Sequence, residues 1–274
     1  MGLVYALVAL GLTIIFGVMD LVNFAHGEFL MLSMYCSFWF YSLLGIDPML
    51  TVPVTAVFGG LLGVATYYLL IKHVLHGPLL AQLFSTFGLL LFLQNLALFL
   101  WGPDFRLVNR GWLVDRVWQL AGLRIDAALL GAGVTSLLGF GLTYLLINHT
   151  RVGTALLATS IDAEGARYMG IDTDRMNALA WAIGGACVGI AGALLANFFY
   201  ITPTTGLVFV MLAFTTVALG GFGSVAGALW AGVIIGVIQT LGGLYIGSQF
   251  KFPLVYSLYF IIMLVRPRGL FGWR

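Results

Sequence analysis

Asp20, Asn23, His26 and Glu28 fall within MDLVNFAHGEFLML, residues 19–32, which interrupts an otherwise apolar start to the chain. Two carboxylates, an amide and an imidazole at this spacing can relay a proton, hold an ion, cap freed backbone groups, or turn the chain. Inside a membrane each charge costs about 3 kcal/mol on insertion scales, so structure or function must require it there. Two readings stand. The stretch is a turn at the membrane surface, where water satisfies the backbone, or a break in a helix beside a passage.

Other groups carry less chemistry. His73 and His76 share a helix face, but no third metal ligand accompanies them. AHGEF has one histidine where the zinc-protease pattern H-E-x-x-H needs two, one turn apart. No G-x-x-x-x-G-K-[ST] loop precedes Lys72 or Lys251, so nothing cradles a nucleotide's phosphates. Phe222 stands where a nucleophile elbow around Ser224 needs glycine. Cys36 and Cys187 lie in apolar runs and read as small buried hydrophobes. Catalytic residues, metals and cofactors are therefore not expected.

The elements that must position these groups are membrane helices. The chain has 274 residues, 61% hydrophobic and 8% charged, against about 25% charged in soluble domains. A net charge of +2 with no basic cluster offers no surface for nucleic acid. No Lys or Arg precedes the first apolar run and no small-residue cleavage site follows, so it reads as a span, not a removable leader. Apolar runs lie at 2–19, 29–46, 51–71, 79–101, 127–147, 177–200, 207–220, 225–246 and 253–265. They are continuous, without the alternation of a barrel. An all-α, polytopic bundle of eight or nine spans in a single domain, 1–274, is expected. If 71–77, 148–176 and the C-terminus face the cytoplasm, seven Lys and Arg lie there against five outside, which is the usual bias. Nine crossings then put Met1 outside.

A second interruption, LAFTTVALGGFGSVAG (212–227), sets Thr215, Thr216, Gly220, Gly221, Gly223 and Ser224 between apolar runs. Paired broken or re-entrant-like segments in opposite halves point to a transporter's pathway; two tight turns at the membrane surface are the other reading. Gly185, Gly189 and Ala193 form one stripe of small residues, and Ala228, Gly232 and Gly236 another. Such stripes let helices approach closely in lipid, within the chain or between subunits.

These residues resemble the membrane permeases of high-affinity branched-chain amino acid ABC importers. GLTIIFGVMDLVNFAHGEFLML (11–32) is similar to that family's N-terminal signature. LAFTTVALGGFGSVAGALWAGVIIG (212–236) is similar to the signature of its second half, and VRPRGLFG (265–272) to its C-terminal end. EGARYMG looks like the E-A-A-x-x-x-G loop whose short helix docks on the ATPase. Glu164, Gly165 and Ala166 hold the E-A-A positions and Gly170 the glycine. Gly165 replaces an alanine, which loosens the helix by up to about 1 kcal/mol. Asp162, Glu164 and Arg167 frame an apolar face of Ala163, Ala166 and Met169, and Gly170 suits a left-handed cap.

The resemblance implies a multi-pass permease of the bacterial cytoplasmic (inner) membrane that moves amino acids with aliphatic side chains. It implies a cytoplasmic coupling loop at about 148–176, a second homologous permease, two cytoplasmic ATPases that hydrolyse the ATP, and an external substrate-binding protein. Asn23, His26, Gly27 and Glu28, with Thr215, Thr216, Gly220, Gly221 and Gly223, would line the pathway; Gly185, Gly189, Gly232 and Gly236 would pack helices. Alternatives are a permease for urea or short amides, and a stand-alone carrier or channel with Asp20, His26 and Glu28 as its relay.

Overall fold

In lipid every backbone N–H and C=O must be satisfied within its own segment, which leaves helices as the elements for continuous apolar runs. A computed structural model describes residues 1–108, 117–120, 123–267 and 269–272. Arg110, Arg116, Arg268 and Arg274, part of the charge bias, lie outside the described residues.

The chain runs through α1 (Gly2–Met19), α2 (His26–Leu44) and α3 (Val52–Thr66), which continues through one wide π turn (Tyr67–Ile71) into α4 (Lys72–Val74). Next come α5 (Leu79–Trp101), a two-stranded hairpin of β1 (Val117–Leu120) and β2 (Leu123–Asp126), and α6 (Ala127–His149). A connector carries α7 (Arg151–Ile161) and α8 (Ala163–Tyr168). The last part holds α9 (Thr173–Leu195), α10 (Thr205–Gly220), α11 (Val225–Tyr245) and α12 (Lys251–Val265). The result is a helical membrane bundle. The hairpin, with Val117 opposite Asp126, is an addition to the all-α expectation.

Among the described residues, seven helical stretches are long and apolar enough to cross a membrane. The expected count of eight or nine is not reached. The two segments left out are α2, diluted by His26, Glu28 and its serines, and α10, which has only 16 residues. Both begin part-way through the bundle, as the site geometry below shows.

α1 and α9 form the centre. α1 is buried continuously from Val4 to Ile15, as an all-apolar helix must be when it is surrounded by others. It crosses α9 where Gly11 meets Gly184, with Ile15 beside them. On its other side α9 meets α3 backbone to backbone: Gly185 against Gly59, Gly189 against the Thr55 carbonyl, and Gly63 against the Trp181 carbonyl. Gly232 and Gly236 of α11 rest on Ala6 and Gly2 of α1. Both small-residue stripes thus pack within the chain. α5, α6 and α12 leave most of their apolar length uncovered.

The ends are tied by polar groups. Lys72 Nζ pairs with Asp174 Oδ2 at 2.8 Å, and the Tyr67 hydroxyl donates to Asp174 Oδ1 at 3.3 Å, joining α4 to the start of α9. The C-terminal segment supplies backbone donors to the last carbonyls of α10. Leu270 N–H donates to Leu219 O at 2.8 Å and Phe271 N–H to Gly220 O at 3.1 Å, satisfying groups that a helix end leaves open.

Gly189→Val drives a side chain into the Thr55 carbonyl, and overpacking of this kind costs about 1–3 kcal/mol. Gly88, in α5, has nothing within 4 Å of a Cβ, so Gly88→Ala gains helix propensity without a clash. Thermal unfolding in detergent should show a clear loss for the first and no loss for the second. Equal thermal stability for both would show that the α3–α9 contact does not limit stability.

Candidate functional site

Six residues separate α1 from α2. Asp20 closes α1 in the left-handed conformation, φ 53°, with its N–H bonded to Phe16 O. The chain then runs extended back along the bundle. Val22 O accepts the Thr86 hydroxyl at 3.1 Å, and Asn23 Oδ1 accepts the Ala25 N–H at 3.0 Å. At His26 a new helix begins. His26 Nε2 lies 3.0 Å from Val8 O, and because a carbonyl only accepts, that nitrogen carries the proton. Val8 and the neighbouring Gly11 sit half-way along α1, so α2 starts at mid-depth and not at a surface. The first interruption is a break inside the bundle.

A matching break occurs in the second half, upstream of the place the sequence suggested. α9 ends at Leu195, and Ile201 exchanges backbone hydrogen bonds with Arg106 (3.1 and 2.8 Å). Thr205 Oγ1 accepts the Thr202 N–H at 3.0 Å. α10 then starts against the first turn of α2. A Cβ on Gly27 would strike the Gly206 carbonyl, and one on Gly206 would lie 2.6 Å from Glu28 Oε1 and 2.8 Å from Oε2. At Gly27 the obstacle is backbone, so only glycine permits this approach, whereas at Gly206 it is the movable end of the Glu28 side chain. α2 and α10 thus run away from a shared starting point in opposite directions, each following a long central helix.

Helix starts leave N–H groups unbonded and carry partial positive charge. Here the start of α10 lies against the carboxylate of Glu28, which stands in the first turn of α2. Glu28, His26 and Asn23 are all fully buried. Both Glu28 oxygens, His26 Nδ1 and Asn23 Nδ2 have no hydrogen-bond partner among the described residues. Buried polar atoms are normally paired, so each open one marks a place where water or another polar group can bind. No group of three metal-ligating side chains occurs among the described residues.

The stretch 212–227 behaves differently. Thr215 and Thr216 lie inside the uninterrupted α10, their hydroxyls donating to Met211 O and Leu212 O one turn back. Gly221 (φ 99°) and Gly223 (φ 77°) form a tight turn, and Ser224 Oγ accepts the Gly227 N–H to start α11. Gly220 packs on Gly227. This is a turn at the end of the bundle, beside Gly17. The reason is local: hydroxyls that bond their own helix do not break it. The signal for the true break was ITPTTG, a proline and threonines announcing a helix start.

The connector lies at the same end. Asp162 caps α8, its Oδ1 accepting from Glu164 N–H at 3.0 Å and Gly165 N–H at 2.9 Å. Glu164 is exposed and makes no cap. Gly165 leaves room for that cap, since a Cβ there would meet Asp162 Oδ2 at 2.6 Å. Gly170, φ 84°, ends the helix, and Ile171 N–H donates to Ala166 O. Ala166 faces inward; the exposed apolar groups are Tyr168 (88%), Met169 (85%) and Ile161 (78%). Arg167 Nε donates to Thr173 Oγ1 at 2.6 Å and ties α8 to α9.

The family model described as branched-chain amino acid transport system / permease component matches residues 1–266. The chain is 33% identical to the high-affinity branched-chain amino acid transport system permease protein LivH of Salmonella typhimurium, over 99% of this chain and 92% of the relative. It is 31% identical to the corresponding protein BraD of Pseudomonas aeruginosa, over 99% and 92%. It is also 31% identical to a probable branched-chain amino acid transport permease protein LivH of Methanocaldococcus jannaschii, over 97% and 88%. No solved structure matches significantly.

Gly27→Val drives a branched side chain into the Gly206 carbonyl, whereas Thr216→Val removes a hydroxyl that bonds only its own helix. Thermal unfolding should fall by the equivalent of about 1–3 kcal/mol for the first and change little for the second. The reverse order would mean that α2 and α10 do not meet as described.

Proposed function

Since this chain belongs to the branched-chain amino acid transport system / permease component family, we propose that it is the membrane-spanning permease of an ABC importer for amino acids with aliphatic side chains. It stands in the cytoplasmic membrane of a bacterium beside a second, homologous permease. Two cytoplasmic ATPases dock on the connector, and an external binding protein delivers the cargo.

One observation carries this reading: the pair of helix starts that meet at mid-depth around Gly27, Glu28 and Gly206. A zwitterion crossing lipid needs polar groups at the depth where the barrier is highest, inside otherwise apolar walls. Asn23, His26 and Glu28 hold open polar atoms at that depth. The connector supplies the drive. ATP-dependent closure of the ATPases moves α8, Arg167 passes the motion to Thr173, and α9 carries it to its glycine contacts with α1 and α3. A stand-alone relay fits less well, because Asp20, His26 and Glu28 make no hydrogen bonds to one another among the described residues, and His26 is committed to Val8 O.

Vesicles containing the assembled permeases and ATPases, supplied with binding protein, should take up leucine only when ATP is present. Uptake without ATP by this chain alone would sink the importer reading. Uptake of urea in place of leucine would keep the importer and change the cargo.

Gly170→Val cannot hold φ 84° without strain of about 1–3 kcal/mol. It should leave insertion intact and uncouple ATP hydrolysis from uptake. Normal coupling in that variant would remove α8 from the route. A cysteine at position 23 should react with a small aqueous thiol reagent at a rate that changes when ATP is trapped. A rate that ignores nucleotide would leave the break outside the pathway.

A further inference from the structure

At the connector end of α1 lies a cavity of about 590 Å³ that the mid-depth helix starts do not account for. That volume lies within the about 300–1,000 Å³ usual for small-molecule sites. Its walls come from the end of α1, the α4–α5 turn, the connector, the start of α9 and the α10–α11 turn.

Asp20 and Arg167 both line the wall. Asp20 is the only non-glycine with positive φ among the described residues. It closes α1 at the end where the last carbonyls already carry partial negative charge. A carboxylate there does not help the helix, but the two together attract a cation. Arg167 Nε is held by Thr173, and the guanidinium makes no other hydrogen bond among the described residues. The start of α9 lies beside it, capped by Asp172 and carrying Asp174, whose carboxylate feels the Arg167 charge. Asn177 lines the same cavity, is 6% exposed, and leaves Oδ1 without a partner. Phe16 and Phe222, with ring centroids 4.7 Å apart, form an apolar wall.

We propose that this cavity binds a zwitterionic amino acid with an aliphatic side chain, as the last station before release. The ammonium group sits at Asp20 and Asn177 Oδ1, the carboxylate takes the free N–H groups of Arg167, and the side chain lies on Phe16 and Phe222. The inference rests on the permease reading above and adds a site to it. The site is distinct from the mid-depth cluster, since Asn23, His26 and Glu28 do not line it. Because Arg167 belongs to α8, bound cargo bridges the end of α1 to the docking helix.

The test is equilibrium binding of radiolabelled leucine to the purified permease–ATPase assembly without binding protein, alongside ATP-driven uptake by the same assembly in vesicles. Saturable binding is expected. Asp20→Asn and Arg167→Gln should each weaken it about tenfold, which is about 1.4 kcal/mol. On the unmodified assembly, 4-methylpentanoate, which lacks the ammonium group, and 3-methylbutylamine, which lacks the carboxylate, should compete at least about tenfold less well than leucine. The analogue experiment decides the matter if a variant fails to assemble. Uptake without saturable binding would overturn this site and leave the permease standing. So would either variant binding like the parent, or analogues competing as well as leucine. Loss of uptake in the unmodified assembly, with no binding, would overturn both.

Discussion

The rest of the structure depends on the close approach of α9 to its neighbours. In lipid the hydrophobic effect does not hold helices together, so contact area and backbone proximity must. Glycines at 184, 185 and 189 let α9 lie against α1 on one side and α3 on the other. A side chain at any of these points meets a backbone oxygen of the facing helix or, at 184, also the Ile15 side chain, and backbone cannot rotate away as the end of a side chain can. The two helices at the centre are therefore a rigid reference against which shorter elements are placed.

Once α1 and α9 are fixed side by side in opposite directions, the breaks that follow them come together. Each long helix ends, the chain runs back, and a new helix begins half-way. This arrangement gathers two helix starts and one buried carboxylate at mid-depth. The fold answers part of the resulting cost locally, through the Asn23 Oδ1 acceptor and the bond from His26 to Val8 O. The remainder is left open, and it is open at the point a polar cargo would have most difficulty crossing. Structural strain and the proposed transport role thus have the same origin.

The connector is fastened to this centre. Asp162 and Gly170 define the two ends of α8, and the bond from Arg167 to Thr173 fastens it to the first turn of α9. A second fastening, Lys72 to Asp174, ties that same turn to α4. The uncovered faces of α5, α6 and α12 lie outside this chain of contacts.

Composition alone determined that the protein is a bundle of membrane helices, because 8% charged residues cannot cover a water-soluble surface. Polar residues crowded between Asp20 and Glu28 also announced an interruption, and Gly170 announced a helix end. Those signals are local: they report what one turn of backbone can or cannot do. Depth is not local. Thr202 to Thr205 and Gly221 to Ser224 both look like turns between apolar runs, yet one starts a helix at mid-depth and the other sits at the end of the bundle. ITPTTG announces a helix start but not its depth; the neighbours that each stretch packs on decide that. The same holds for α8, where Asp162 and Glu164 are both plausible caps until the backbone places Asp162 outside the first turn. It holds most of all for Glu28 and Gly206, far apart in the chain, which meet only because α1 and α9 lie antiparallel. Sequence fixes which residues can break, cap or pack; only the tertiary structure decides which of them face each other, because in lipid that choice is made by the fit of one backbone against another.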